Sequence, residues 1–277
     1  MYSTARDANN FGCAILGSEQ LSPTITRRWL KPVSFTSTLL AAVGMPWEIF
    51  RHPLEDRVID FYTKGGSIGL YESLIVIIPE YDVTFTVMAA GIDRRLTFNA
   101  ADVVRQHFVP ALEAAAKQQA AARFGGRYAS ANATQNMILF SVEEQPGLVV
   151  EEYISEGVNF LQVASEYANN TGRGSLKSIR AYPAELKSAN QVAFRAVFNT
   201  TAAYENGVDE GKLFSPGISA WISVDAMVYG QKPLDEFIYT VDADGVAIGV
   251  ECPALRMTLG RVSVDEVIPE QSHHSVS

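Results

Sequence analysis

The chain has 277 residues, and its composition of 47% hydrophobic and 19% charged residues is typical of a folded globular protein rather than a disordered or fibrous one. Its 31 acidic residues against 22 basic ones give a net charge of −9, and no basic stripe is present, which argues against a nucleic-acid partner. No apolar run approaches the ~20 residues that span a bilayer, so no membrane partner is expected.

The N-terminal region predicts two short helices followed by a loop. Apolar residues recur at helical spacing over residues 5–16. A second helix is predicted to begin at Ser22-Pro23, because serine caps a helix and proline fits its first turn. Pro32 ends this helix, and residues 33–46 are predicted to be a loop.

The middle of the chain predicts an antiparallel meander and then a long helix. Four β-rich segments are each bounded by glycine, proline or an acidic turn. The helix is predicted from Asn99 to Arg123, with Phe108 on its apolar face and a kink at Pro110. The predicted strands are residues 47–50, 58–63, 70–78 and 83–90.

After Gly125-Gly126 the pattern changes to short alternating segments with turn signals between them, and no helix is predicted. Regular short strands of this kind indicate a β-barrel or a β-sandwich. The polar residues 267–277 are predicted to be a flexible tail. The predicted strands are residues 137–142, 148–154, 179–182, 192–198, 238–241, 246–250 and 256–259.

The cysteines and the glycosylation sequons bear on the compartment. Cys13 and Cys252 lack metal-type spacing and are predicted to be buried thiols, and no metal or cofactor is expected. Asn-x-Thr sequons occur at Asn132, Asn169 and Asn199, either by chance or as a relic of a secreted ancestor. Residues 1–7 lack the pattern of a secretory signal, which predicts a cytoplasmic protein as encoded.

One motif of the sequence contains residues that could take part in catalysis. Residues 60–71 contain Lys64-Gly65-Gly66-Ser67, which resembles the third conserved box, Lys-Ser/Thr-Gly, of the β-lactamase and penicillin-binding-protein superfamily. Upstream, Tyr2-Ser3-Thr4-Ala5 resembles a segment that leads into a helix in class C-like members, and the segment 21–32 is similar to the fungal secreted subgroup of the family. The resemblance covers residues 1–123 most strongly. It implies a serine hydrolase ancestry, with relatives that are secreted.

The resemblance also implies roles for individual residues. Lys64 would control the electrostatics of the site, Gly66 would let substrate lie against the strand edge, and Ser67 would offer a backbone N–H to an oxyanion. Gly65 stands where the family has a hydroxyl. No lysine of the chain has a serine three residues before it, so the Ser-x-x-Lys nucleophile motif is absent from these residues. The Tyr-x-Asn match at residues 167–169 follows Lys64, which reverses the family's order.

These observations predict an α+β fold with two domains. Residues 1–123 are expected to form a partial β-lactamase/transpeptidase-like domain, with an antiparallel sheet and helices. Residues 125–266 are expected to form an all-β barrel, because Gly125 to Tyr128 resembles the opening of a lipocalin-like domain in related serine peptidases. The expected function is that of an amide or ester hydrolase family member that is inactive alone, a pseudoenzyme or truncated form, with a link to fungal secondary metabolism implied by the resemblance.

Several alternatives stay open. The hydrolase could be active if a second chain completes it or if Ser67 acts as nucleophile, and residues 65–69 also match the Gly-x-Ser-x-Gly nucleophile elbow of α/β-hydrolases. A non-catalytic binding protein and an incomplete gene model are further interpretations. An active form would take a small-molecule substrate. An unpaired sheet edge predicts self-association or a complementing N-terminal half as partner.

Overall fold

A computed structural model describes residues 3–54, 57–93, 95–131, 135–201 and 220–262, without the side chain of Glu185. The chain divides into two compact units, residues 1–116 and 117–277. The described helices are α1 (Ala5–Leu16), α2 (Pro23–Trp29), α3 (Leu96–Phe124) and α4 (Phe160–Asn170). The strands are β1 (Ser34–Phe35), β2 (Ala41–Val43), β3 (Glu48–Pro53), β4 (Val58–Ile68), β5 (Tyr71–Ile78), β6 (Val83–Ala90), β7 (Gly126–Ala129), β8 (Met137–Val142), β9 (Leu148–Ser155), β10 (Val158–Asn159), β11 (Leu176–Lys187), β12 (Gln191–Thr200), β13 (Val228–Tyr229), β14 (Lys232–Pro233), β15 (Glu236–Val241), β16 (Ala247–Cys252) and β17 (Met257–Val262).

The first unit is built on a six-stranded antiparallel sheet in the order β1-β2-β3-β4-β5-β6. The predicted meander is therefore confirmed, while β1 and β2 occupy part of the predicted loop. Alternate residues of the strands point to opposite faces of the sheet, where they belong to two hydrophobic clusters. Ile15 of α1 packs with Tyr62 and Ile77 on one face, and Val109 of α3 packs with Phe61 and Val76 on the other. We call these the α1 face and the α3 face.

Hydrogen bonds between neighbouring residues set both ends of helix α1. The Thr4 hydroxyl accepts a hydrogen bond from the Asp7 backbone N–H at 3.1 Å and donates one to the Asp7 carboxylate at 2.9 Å, which satisfies one of the otherwise unpaired N–H groups of the first turn. The backbone N–H of Gly17 closes the helix on the carbonyl of Cys13 at 2.8 Å. The predicted bounds of this helix, residues 5–16, are confirmed.

Replacing Gly12 with alanine is expected to destabilise the first unit by about 1–3 kcal/mol, because α1 lies so close to β6 that an added methyl group collides with Thr84. A Cβ at position 12 would lie 2.8 Å from Cβ and 2.9 Å from Cγ2 of Thr84, and closer still to its hydroxyl oxygen. The better helix propensity of alanine, worth about 1 kcal/mol, offsets only part of this cost. Urea unfolding followed by circular dichroism measures the change.

Gly91→Ala is the matched control for this prediction, since a Cβ there meets no described atom within 4 Å. It is expected to change the free energy of unfolding by less than about 0.5 kcal/mol. If Gly12→Ala were as stable as the unsubstituted protein, α1 would not be held at this distance from Thr84, and the explanation would be wrong.

Helix α3 differs from its prediction in where it begins and in which face it buries. It begins at Leu96 rather than Asn99, and it continues past Pro110 to Phe124. Phe108 was predicted on the apolar face but is 56% exposed. Thr97 and Val109 are buried instead, and Val109 lies about 100° around the helix from Phe108.

The second unit contains an eight-stranded antiparallel barrel. The strands β7, β8, β9, β11, β12, β15, β16 and β17 pair in a ring that the pairing of β8 with β9 closes. Its interior is filled by large side chains that include Tyr128, Phe140, Phe237 and Tyr239, all of them 1% exposed or less. The predicted barrel is confirmed. The predicted tail, residues 267–277, lies outside the described residues.

The prediction that this region contains no helix was wrong. Helix α4 begins after Asn159, whose side-chain oxygen accepts hydrogen bonds from the backbone N–H groups of Leu161 and Gln162. It lies where the barrel wall is weakest, because β9 and β11 share only two residue pairs. The Leu176 backbone N–H of β11 donates to the Ser165 hydroxyl of α4 at 3.1 Å, so the helix takes over part of the role of a missing strand partner.

The two cysteines differ in exposure. Cys252 is buried at 3% exposure among the residues of the barrel interior, as predicted. Cys13 lies on the exposed side of α1, and its prediction as a buried thiol was wrong. The reason is its position in the helix, since its neighbours Gly12 and Ile15 take the face that meets the sheet. Both cysteines are free thiols.

Candidate active-site strand

The three residues predicted for the site lie together on one strand with a free edge. On one side, β4 pairs with β3 only as far as Thr63, which is opposite Glu48. On its other side it continues to pair with β5 through Ile68. Among the described residues, the segment Lys64–Ile68 therefore has no strand partner on the β3 side. We call this segment the free edge of β4.

Lys64 stands at the start of the free edge. Its Nζ lies 2.5 Å from Oε1 of Glu48 on β3, and the two side chains are 44% and 42% exposed. An ion pair this exposed contributes little to stability. It places an ammonium group next to unpaired backbone, where it can attract a substrate anion or stabilise negative charge that develops in a reaction.

Gly66 and Ser67 follow on the same edge, and both are exposed. A Cβ at Gly66 would approach Oγ of Ser73, its partner on β5, to 3.1 Å, so a side chain here would crowd Ser73. Among the described residues, no hydrogen bond reaches the Ser67 hydroxyl. Within the described ranges, that hydroxyl is therefore without the hydrogen-bonded base that activates a serine nucleophile.

The nucleophile-elbow interpretation of residues 65–69 is contradicted by the local structure. An elbow needs a strand before the serine and a helix after it. Ser67 instead lies within β4, opposite Glu72 of β5. The turn is formed by Gly69, with φ of +58°, and Leu70, and a strand follows it.

Other sequence matches lie in the barrel unit. Tyr167 and Asn169 are exposed on α4, whereas Lys64 belongs to the sheet of the first unit. Of the sequons, Asn132 lies outside the described residues. Asn199 is half-buried in β12, where its Nδ2 donates to the Ser178 hydroxyl at 3.2 Å. Asn169 is therefore the described sequon whose asparagine is exposed.

Sequence reasoning missed Glu48, because its contact with Lys64 is made between two strands and leaves no spacing signal. It also missed a cleft on the α3 face that contains His52 and Arg105. The described residues hold no group of three or more His, Cys, Asp and Glu side chains placed to bind a metal. None of the helices in the described part of the chain has both the length and the apolar character needed to cross a bilayer.

A family model described as a β-lactamase-like C-terminal domain matches residues 116–263, which is more than half of the chain. The chain belongs to this β-lactamase-like family. The β-lactamase-like chain is 28% identical over 285 residues to a β-lactamase-like protein of Arthroderma benhamiae, covering 92% of this chain and 48% of that protein. The predicted resemblance to fungal β-lactamase-like proteins is confirmed.

Other similar proteins are named as hydrolases. A probable hydrolase of Phoma sp., M10, is 28% identical over 274 residues, covering 94% of this chain and 44% of that protein. The β-lactamase-like chain thus spans less than half the length of these curated relatives. A solved structure, an octameric penicillin-binding protein homologue from Pyrococcus abyssi, is 10% identical and covers 93% of this chain and 46% of that one, with a TM-score of 0.31, which is too low to compare folds.

Proposed function

We propose that this 277-residue chain provides the substrate-binding strand and an accompanying barrel of a serine hydrolase. We further propose that the chain does not carry out the cleavage by itself. The substrate would be a small molecule with an amide or ester bond, cleaved through an acyl-enzyme. The observation that carries the proposal is the free edge of β4, which begins with the ammonium group of Lys64. Membership of the β-lactamase-like family and the hydrolase names of its relatives support it.

The free edge suits an extended substrate. Its unpaired backbone N–H and C=O groups can hydrogen-bond an amide as a neighbouring strand would. The Ser67 N–H would donate to the oxyanion that forms when the carbonyl is attacked, and Lys64 would stabilise the same negative charge. Gly66 leaves room for the substrate beside the strand, since it has no side chain.

The proposed lack of activity rests on the nucleophile. A serine hydrolase of this kind needs a serine with a neighbouring base, and no Ser-x-x-Lys occurs among the 277 residues. Ser67 is the alternative nucleophile within the chain, but its hydroxyl has no described hydrogen-bond partner. We therefore place the nucleophile on a complementing segment.

The edge of the sheet at β6 supports a complementing segment as the partner. In the described residues, β6 pairs only with β5 along its eight residues, Val83–Ala90, so its outer backbone groups lack a strand partner. A long edge without proline or lysine is prone to pair with another strand. The proposed occupant is an N-terminal segment of the hydrolase, and pairing with a second copy of the chain is the alternative.

The test applies a fluorescent fluorophosphonate and a chromogenic β-lactam to the purified chain, alone and with the polypeptide translated from the DNA upstream of Met1. We expect no labelling of the chain alone and labelling of the mixture on the added polypeptide. Lys64→Gln should reduce that labelling, while Lys177→Gln, an exposed lysine of β11, should not.

The other outcomes separate the alternatives. Labelling of the chain alone that is lost in Ser67→Ala would make Ser67 the nucleophile and overturn the proposal. An absence of labelling in every combination would favour a non-catalytic binding protein. Hydrogen exchange should show alternate amides of β6 becoming protected in the mixture, whereas protection that rises with the concentration of the chain alone would indicate self-association. A role in fungal secondary metabolism belongs to the same proposal and rests on the family resemblance.

A further inference from the structure

A cleft of about 310 Å³ lies on the α3 face of the sheet in the first unit. Its inner wall is formed by Phe61 and Leu74, which are 6% and 2% exposed, together with Phe85. Phe50 and Phe98 stand at its mouth and are 46% and 45% exposed. A cavity of this size with apolar and aromatic walls is typical of a small-molecule site.

Helix α3 forms the other side of the cleft through residues spaced as one helical face. Phe98, Ala101, Asp102 and Arg105 recur at intervals of three and four, which places them above one another on the helix. Ala101 is small, and its short side chain leaves the space between helix and sheet open. Arg105 is the only residue of this face that brings a positive charge to the cleft.

The guanidinium group of Arg105 is only partly engaged. Its Nε donates to Oδ1 of Asp102 at 3.2 Å, and the Asp102 side chain is 64% exposed, so water screens much of that charge. Nη1 lies 3.4 and 3.3 Å from the two ring nitrogens of His52. In the described part of the chain, no hydrogen bond is made by Nη2.

The surroundings of Arg105 keep its charge available in the cleft. Burial lowers the pKa of His52, and the positive charge of Arg105 lowers it further, so the imidazole is neutral near pH 7 and adds no competing charge. The Arg105 side chain is 27% exposed and lines the cleft. The cleft therefore holds the positive charge of Arg105 beside apolar walls. Arg51 also lines the cleft, but its Nε is paired with the Asp60 carboxylate of β4 at 3.0 Å.

We propose that this cleft binds a small carboxylate with an apolar body. The carboxylate would accept hydrogen bonds from Nη1 and Nη2 of Arg105, the fork geometry that guanidinium groups offer to carboxylates. The ring or chain of the ligand would lie between Phe98 and the wall formed by Phe61 and Leu74. The ligand would be a monoanion with one end free of polar groups, such as an arylalkanoic acid or a medium-chain fatty acid.

This site is separate from the free edge of β4. Lys64 does not line the cleft, and the proposed ligand needs neither a nucleophile nor an oxyanion donor. The inference therefore goes beyond the proposed hydrolase function and can be tested on the purified chain in the absence of any activity.

The test uses two matched pairs of probes, 4-phenylbutanoate with 4-phenylbutanamide and octanoate with octanamide. Titration calorimetry and ligand-observed NMR measure their affinity for the purified 277-residue chain. We expect each acid to bind about tenfold more tightly than its amide, since only the acid makes charge-assisted hydrogen bonds with Arg105. The acid that binds more tightly indicates whether the natural ligand is aryl or alkyl.

Two variants locate the site. Arg105→Gln should bring the affinity for the acid down to that for the amide and leave the amide unchanged. Ala101→Phe should fill the cleft and weaken acid and amide together. The matched control is Arg127→Gln, a similarly exposed arginine of β7 paired with Glu152, which should change neither affinity.

The proposal is overturned if the acids bind Arg105→Gln as tightly as the unsubstituted protein, because the carboxylate would then be held elsewhere. It is equally overturned if neither member of either pair shows saturable binding at roughly millimolar concentration. Unchanged binding to Lys64→Gln is expected, and this result keeps the outcome separate from that of the hydrolase proposal.

Discussion

Replacing Arg195 with methionine is expected to lower the free energy of unfolding of the barrel unit by about 3–5 kcal/mol, because it removes the counter-ion that the structure describes for a buried carboxylate. The guanidinium group lies 3.0 Å from the Asp235 carboxylate and 2.7 Å from that of Asp225, with Glu236 at 3.9 Å. The Asp235 side chain is only 4% exposed. After the substitution, the remaining described hydrogen bond to this carboxylate comes from the Asp225 backbone N–H at 2.7 Å.

Arg127→Met is the control for that prediction. Arg127 pairs with Glu152 at 3.6 Å, and both side chains are well hydrated, so its loss is expected to cost no more than about 1 kcal/mol. Adding Asp235→Asn to Arg195→Met should recover part of the loss, because a neutral amide needs no counter-ion. Urea unfolding followed by far-ultraviolet circular dichroism measures all four proteins. Equal losses for Arg195→Met and Arg127→Met would show that Asp235 does not depend on Arg195.

A thiol-alkylating reagent is expected to modify Cys13 of the native protein at least about a thousandfold faster than Cys252, since the thiolate is the reactive form. Burial raises the pKa of Cys252 to about 12. At pH 8, roughly one Cys252 thiol in 10⁴ is therefore ionised, and the reagent must also reach the barrel interior. Cys13 is exposed on α1, so the reagent reaches its thiol directly.

Intact-mass spectrometry after timed treatment with iodoacetamide at pH 8 measures the two rates. The native protein should gain one adduct quickly, and a second should follow only when urea unfolds the barrel. Cys13→Ser should gain no rapid adduct. Two adducts at one rate in the native protein would mean that the barrel opens on the timescale of the reaction.

Helices and strands that are set by interactions between neighbouring residues were predictable from the sequence. Helix α1 carries its own cap at Thr4 and Asp7, and β6 and β8 were predicted with the bounds that the structure shows. Helix α4 was predictable in principle, because Phe160, Ala164 and Ala168 have helical spacing. The many short segments around it favour the two-residue alternation of β-strands, which hides this helical pattern. Strands β1 and β2 have two and three residues, and such short segments are recognisable only by their pairing.

The candidate site was only partly predictable for the same reason. Lys64, Gly66 and Ser67 are adjacent in sequence and carry a family motif, so they could be named without a structure. The free edge of β4 could not be predicted from the sequence, because it depends on where the pairing of β3 with β4 stops. The cleft at Arg105 requires β3, β5 and α3 to come together, and these elements are far apart along the chain.

The sequence by itself determined the family resemblance, the order of most elements, the barrel and the absence of Ser-x-x-Lys from these residues. Capping, turn chemistry and periodicity act over a few residues, and a sequence therefore displays them directly. Only the tertiary structure decided the unpaired edges of β4 and β6, the contact of Lys64 with Glu48, and the dependence of Asp235 on Arg195. These features arise from contacts between segments distant in the chain, which burial and strand pairing select and local patterns do not record.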